Sequence, residues 1–240
     1  MWPPVARASF GLMILITALY GVSANGGDHA NSSSSTISPA TREHWMQRAI
    51  QALPEVVSPC PFGAFGTAIV NHTSTTELGN LICIGANLVR DIGNPTLHGE
   101  IAAINNCTAV LTAPDGPYKL TATEALAAYK DFTLYTTAEP CPMCATAIRH
   151  AGFRECVYAT SIDTLIEYGW PQLDLRSKEI FERSTRLKSY TYLLGGVLES
   201  QTNAYFRWQF NDDGACPGGC ERDEGSGQCL SGLFSVHNDL

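Results

Sequence analysis

An α/β domain with helices covering a sheet is the fold class this sequence predicts, and three observations point to it. Runs rich in β-formers alternate with helical ones between about residues 40 and 212. The 240 residues are 45% hydrophobic and 16% charged, enough to bury a real core. No internal repeat interrupts the alternation.

The elements follow in order. Arg7 is the only charged side chain in the first 24 residues, Phe10–Tyr20 is an apolar run of eleven, and Val22-Ser23-Ala24 is a small-residue cleavage pattern. That layout is a secretory signal over 1–24, since a membrane-spanning helix needs roughly 20 apolar residues. The chain is therefore expected outside the cell, with no membrane attachment once the signal is cleaved. Residues 25–40, rich in Gly, Ser and Asn, read as a flexible linker. Thr41 is placed to cap a helix over about 42–53, with Trp45, Ala49 and Leu53 on one stripe and Pro54 as its stop. Gly66–Val70 and Leu81–Val89 flank a polar stretch as a hairpin. Helices at His98–Val110 and Ala122–Lys130 precede a strand at Phe132–Thr137, a helix at Pro142–Ala151 and a strand at Cys156–Thr160. A helix at Asp174–Ser184, a strand near Tyr190–Val197 and a helix near Glu199–Phe210 complete a domain over 41–212, and 213–240 is a Cys/Gly-rich acidic tail.

Two segments carry chemistry, His98-Gly99-Glu100 and Pro140-Cys141-Pro142-Met143-Cys144. One imidazole and two thiolates suit zinc, and three protein ligands leave its fourth tetrahedral position open. Pro142 is pre-organised for a first helical turn, whose N-terminus favours both thiolates. Glu100 is placed beside the metal without ligating it, as a proton carrier. A Cys-x-x-Cys alone in a secreted chain is more often a disulfide or a structural zinc pair. Here the His-x-Glu upstream, the Pro before the first Cys, the strand feeding it and the helix after it favour a catalytic site of the zinc deaminase pattern. No fourth ligand for a structural zinc stands nearby.

On these residues the stretch from about 62 to 165 resembles the cytidine deaminase-like superfamily, especially its cytosine, guanine and tRNA-adenosine deaminase branch. The segments are Leu97–Ile101 with Asn106-Cys107, and Tyr129–Thr137 leading into Pro140-Cys141, Met143-Cys144 and Ala147-Ile148. The resemblance implies a three-layer sandwich with a central mixed sheet and helices on both faces. It implies zinc on His98, Cys141 and Cys144, proton transfer by Glu100, and contact with the base by Asn87, eleven residues before His98. A turn-forming Asn87 is the competing reading. The implied reaction is hydrolysis of an aromatic amine with release of ammonia from a small-molecule nucleobase or nucleoside. Cytosine-type substrates lead and guanine-type substrates stay open, and the resemblance implies a homodimer. Trp170, Phe206, Trp208 and Asp212 are candidates for the pocket wall.

A formal charge of −8 and the absence of a Lys/Arg cluster in the sequence argue against a nucleic-acid partner. A secreted interaction protein that keeps the scaffold without turnover, and a polynucleotide editor, are the alternatives. The sequons put glycans on Asn31, Asn71 and Asn106. Of nine cysteines, Cys60, Cys216, Cys220 and Cys229 are expected to form one or two disulfides pinning the tail, whereas Cys83, Cys107 and Cys156 are expected as buried thiols.

Overall fold

Ser38 caps the first helix: its Oγ accepts the Thr41 N–H at 3.1 Å, and Pro39 takes the first helical position. In this computed structural model, which describes residues 37–73 and 76–231, helix α1 is Pro39–Val56. The cap is thus Ser38 and not Thr41, and the helix starts inside the expected linker. Pro54 does not stop it. Proline removes only its own N–H, and the turn still closes because Val57 and Ser58 both donate to the Leu53 carbonyl. The signal region 1–24, Asn31 and most of the linker lie outside the described residues.

Strands β1 (Gly66–Asn71) and β2 (Asn80–Ala86) form the expected hairpin. After β2 come a short helix α2 (Val89–Ile92), which the sequence reading assigned to strand at its start, and α3 (Gly99–Thr112). Helix α4 (Ala122–Ala128) opens on a capping box between Thr121 and Glu124, and a 3₁₀ turn leads into strand β3 (Phe132–Ala138). Helix α5 (Pro142–Ala151), β4 (Glu155–Thr160), α6 (Ile162–Glu167), α7 (Ser177–Arg183), β5 (Tyr192–Leu194) and α8 (Glu199–Phe206) follow. The tail carries a small hairpin, β6 (Cys220–Arg222) against β7 (Cys229–Ser231).

The main sheet has the order β2-β1-β3-β4-β5 and is mixed. β1 runs antiparallel to both neighbours, and β3, β4 and β5 are mutually parallel. Period-two side chains feed two cores. Ile69, Leu134 and Cys156 face α3 and α5 with Ala103, Leu111 and Ile148. Ala68, Val70, Tyr135, Val157 and Ala159 face α1 with Trp45, Met46 and Ala49. Helices on both faces make the three-layer sandwich.

Strand directions decide where a site can form. β2, β3 and β4 all end at one edge, where β1 begins: Gly66 pairs with Ala86, and its N–H donates to Thr137 Oγ1 at 3.0 Å. The starts of α3 and α5 meet there, outside the carboxyl ends of parallel strands, where open α/β sheets bind ligands. Gly85 and Gly99 permit that close approach. A Cβ on Gly85 would lie 2.3 Å from Ala103 N, and one on Gly99 2.2 Å from Phe65 O.

Two disulfides join the four outer cysteines, Cys60–Cys220 and Cys216–Cys229. Cys83 and Cys107, expected as free thiols, are instead bridged to each other between β2 and α3. Their apolar strand and helix contexts concealed the pairing, which only the packing of α3 on β2 brings about. Cys156 is a free, buried thiol. Among the described residues no helix is long and apolar enough to cross a membrane.

Candidate active site

His98 is the N-cap of α3 and Cys141 the N-cap of α5, and neither side chain caps its own helix. Residues at these positions point back over the helix end, so both are free to face one another. Cys144, one turn into α5, turns to the same point. His98 Nδ1 lies 3.5 Å from Cys141 Sγ and 3.7 Å from Cys144 Sγ. One ligand atom from each of the three falls within 4.8 Å of the others. An imidazole and two thiols so spaced, at the positive ends of two helices, fit a zinc ion with one coordination position left over.

Glu100, in the first turn of α3, is 3% exposed. Burial pushes its carboxyl up to about 7, and the Cys141 thiolate adds to the shift. Cys141 is drawn down to about 4, chiefly by the hydrogen bond it receives from Cys144 and also by His98. Cys144 is pushed up by that same pairing and by burial, and His98 is raised chiefly by its hydrogen bond to Cys141. The cluster therefore holds a sulfur whose anionic form is favoured, as a metal ligand needs, and a carboxyl able to change its protonation near neutral pH.

His98, Glu100 and Cys141 line a cleft of about 460 Å³, and Cys144 is fully buried beside them. Phe62, Phe65 and Trp170 form its aromatic side, and Asn87, Arg90, Gln172 and Gln228 are among its polar residues. The Phe65 ring lies nearly parallel to the His98 imidazole, with centroids 6.5 Å apart. Trp170 stands edge-on to Phe65 and donates from Nε1 to the Phe206 carbonyl at 3.0 Å. The Arg90 guanidinium covers Phe62 at 3.7 Å. Of the wall candidates, Trp170 lines the cleft, Phe206 packs behind it and Trp208 packs against Phe62. Asp212 is exposed and is not among the residues lining the cleft.

Asn87 lines the cleft and also forms a turn, since its Oδ1 accepts the Val89 N–H at 3.1 Å. The turn that the sequence offered is present, and the side chain that makes it borders the cleft. Asn71 Oδ1 accepts from Thr73 N and Oγ1 at the hairpin end, while Asn106 Nδ2, within α3, donates to the Ile84 carbonyl.

Glu139 was not foreseen. It precedes Pro140-Cys141, is 5% exposed and lines the cleft. Its carboxylate accepts the Ile162 N–H at 3.0 Å, the Ser177 N–H at 2.9 Å and the Ser177 hydroxyl at 2.7 Å. It thereby ties the Cys141 loop to the starts of α6 and α7. An acid directly before Pro-Cys in an apolar stretch was the available signal.

Residues 39–160 match the family described as the cytidine and deoxycytidylate deaminase zinc-binding region. A guanine deaminase of Bacillus subtilis is 34% identical over 128 residues, covering 53% of this chain and 70% of that protein. A cytosine deaminase of Candida albicans is 33% identical over 92 residues, 36% of this chain and 52% of that protein. The solved structure of a guanine deaminase from Nitrosomonas europaea superposes with a TM-score of 0.52 at 22% identity, over 70% of this chain and 84% of that one, and shares its fold.

Proposed function

This chain belongs to the cytidine and deoxycytidylate deaminase zinc-binding family, and on that premise we propose that it deaminates a free base of the guanine type. The carrying observation is the convergence of His98, Cys141 and Cys144 beside the buried Glu100, with His98, Glu100 and Cys141 lining an aromatic-sided cleft. The guanine preference is supported by the relative from Bacillus subtilis, which matches more of this chain than the Candida albicans cytosine deaminase does. It replaces the leaning towards cytosine that the motifs alone suggested.

In this reading His98, Cys141 and Cys144 hold the zinc. When bound, the metal supplies the Lewis acidity that makes water a nucleophile at neutral pH. Glu100 removes the proton from the attacking water and delivers it to the ring nitrogen beside the reacting carbon. It then passes a proton to the departing amine, so base plus water becomes the oxo-base plus ammonia. Phe62, Phe65 and Trp170 present a surface for the ring, and Asn87 Nδ2 donates to an acceptor on the base. A scaffold without turnover has no use for a carboxyl buried beside the ligands.

Secretion is part of the proposal. The signal-like start and three disulfides among the described residues support an oxidising compartment, and Asn71 is the favoured glycan site. N-terminal sequencing of the secreted product is expected to begin at residue 25. The activity is tested by ammonia release from zinc-loaded protein with guanine, cytosine, adenine and their nucleosides. Guanine is expected to react fastest; a preference for cytosine refutes the substrate, and no release from any refutes the activity.

A further inference from the structure

The cleft has a wall outside the family-matched region. Gln228, from the turn between β6 and β7, lines it together with His98, Glu100 and Cys141. Facing residues belong to the loop after α1, where Ser58, Cys60, Pro61, Phe62 and Gly63 all line the same space. That loop has no regular hydrogen-bonded structure of its own, and the C-terminal segment holds it at three points. Cys60 is bonded to Cys220. Gly63 N–H donates to Gln209 Oε1 at 2.9 Å, and Gln209 Nε2 donates to the Pro61 carbonyl at 3.4 Å. The hairpin is itself closed by Cys216–Cys229 and braced by Arg222, whose guanidinium donates to the carbonyls of Asn211, Gly214 and Gly227.

Resting on the deaminase reading above, we propose that this stapled segment forms part of the substrate site, with Gln228 and the Cys60-anchored Phe62 as specificity-determining contacts at the substrate's outer edge. Glu100 is buried at the floor and Gln228 is exposed at the rim, so a base seated on the metal ligands presents its far edge to Gln228. Cys60–Cys220 sets the distance between the two rim elements. That bridge and Gln209 hold the loop that carries Phe62, whose ring packs against Trp170, Trp208 and Phe210 and is covered by Arg90. Contacts made at an outer edge are the same in ground and transition states, so their loss raises KM and spares kcat.

The test compares three changes by ammonia release from guanine, and by calorimetric binding of guanine in a Glu100→Gln background. Gln228→Ala is expected to raise KM and the dissociation constant about three- to tenfold, the size of one neutral hydrogen bond. Cys60→Ala with Cys220→Ala is expected to raise both more than tenfold, leaving kcat within about twofold. Cys83→Ala with Cys107→Ala also removes one disulfide, but away from the cleft, and is expected to lower Tm without moving KM. Unchanged KM and binding in the first two changes overturn the proposal, as does an equal KM rise in the third. If the Cys60/Cys220 pair fails to fold, Gln228→Ala on the exposed turn decides alone. Should no base be turned over by the unmodified protein, the activity is refuted, while the binding arm still judges the wall.

Discussion

Burial and then the Cys141 thiolate favour the neutral form of Glu100, while His98 and Cys144 pull the other way and leave its proton within reach of neutral pH. Glu100→Gln preserves shape and burial while removing the ability to carry a proton. Ammonia release is expected to fall about 10²- to 10⁴-fold, with zinc content by atomic absorption and Tm unchanged. Retained turnover would remove Glu100 from the mechanism. His72 is a second titrating group, and it works on stability. Burial, helped by the charges of Arg154 and Arg42, holds it down at about 4, and its Nε2 pairs with the Tyr135 hydroxyl at 2.9 Å. An unfolded-chain histidine titrates near 6.5, so between about 6.5 and 4 the unfolded state binds a proton that the folded state refuses. Stability therefore falls as pH drops through that window. Because the ring is half exposed, the loss is on the order of 1 kcal/mol. Urea midpoints at pH 7 and 4.5 are expected to show a smaller drop for His72→Gln than for the unmodified chain.

At the scale of elements, the site is a junction of two helix starts pressed onto a sheet edge. Gly85 lets α3 lie against β2, and a Cβ there would meet Ala103 N at 2.3 Å and Gly99 O at 2.8 Å. These are backbone atoms, so strand and helix must part. Gly85→Ala is expected to cost about 1–3 kcal/mol or more and to weaken zinc retention, because the displaced helix carries His98. A thermal melt together with a zinc-chelator competition reads both; a variant that keeps its Tm and its zinc would refute the account. This close contact was not legible in the sequence, whereas the ends of α5 were. Pro142 fixes its start, and Gly152, at φ +81°, ends it in a left-handed turn. The convergence of His98, Cys141 and Cys144 was equally legible, since they sit in two short segments whose spacing is local. What escaped depends on folding back. Helix α6 has six residues, and the Ser161 cap was its local signal. Phe62 and Gln228 are far from the motifs in the chain and come to one cleft only in the folded molecule.

For the whole molecule, the bridges divide a common task unequally. Cys60–Cys220 spans 160 residues and joins the rims of the cleft, whereas Cys83–Cys107 spans 24 and lies within the core shared by β2 and α3. In the chain-entropy account, closing a loop of 24 residues restricts the unfolded ensemble by about 3 kcal/mol. Replacing both cysteines by alanine also removes two sulfurs that are 5% and 0% exposed, leaving a small cavity against Ala103 and Leu111. Both effects act in one direction. At about 2–4 °C per kcal/mol for a domain of this size, the loop alone is expected to lower Tm by about 6–12 °C and the cavity to lower it further, with the cleft unchanged. A single substitution separates the two contributions. Cys83→Ala alone opens the same bridge but leaves the Cys107 sulfur in place and the other two disulfides intact, so its Tm should fall less than that of the double alanine variant. An equal fall in both would assign the whole effect to the loop, and no fall in either would show that β2 and α3 hold together without the bridge.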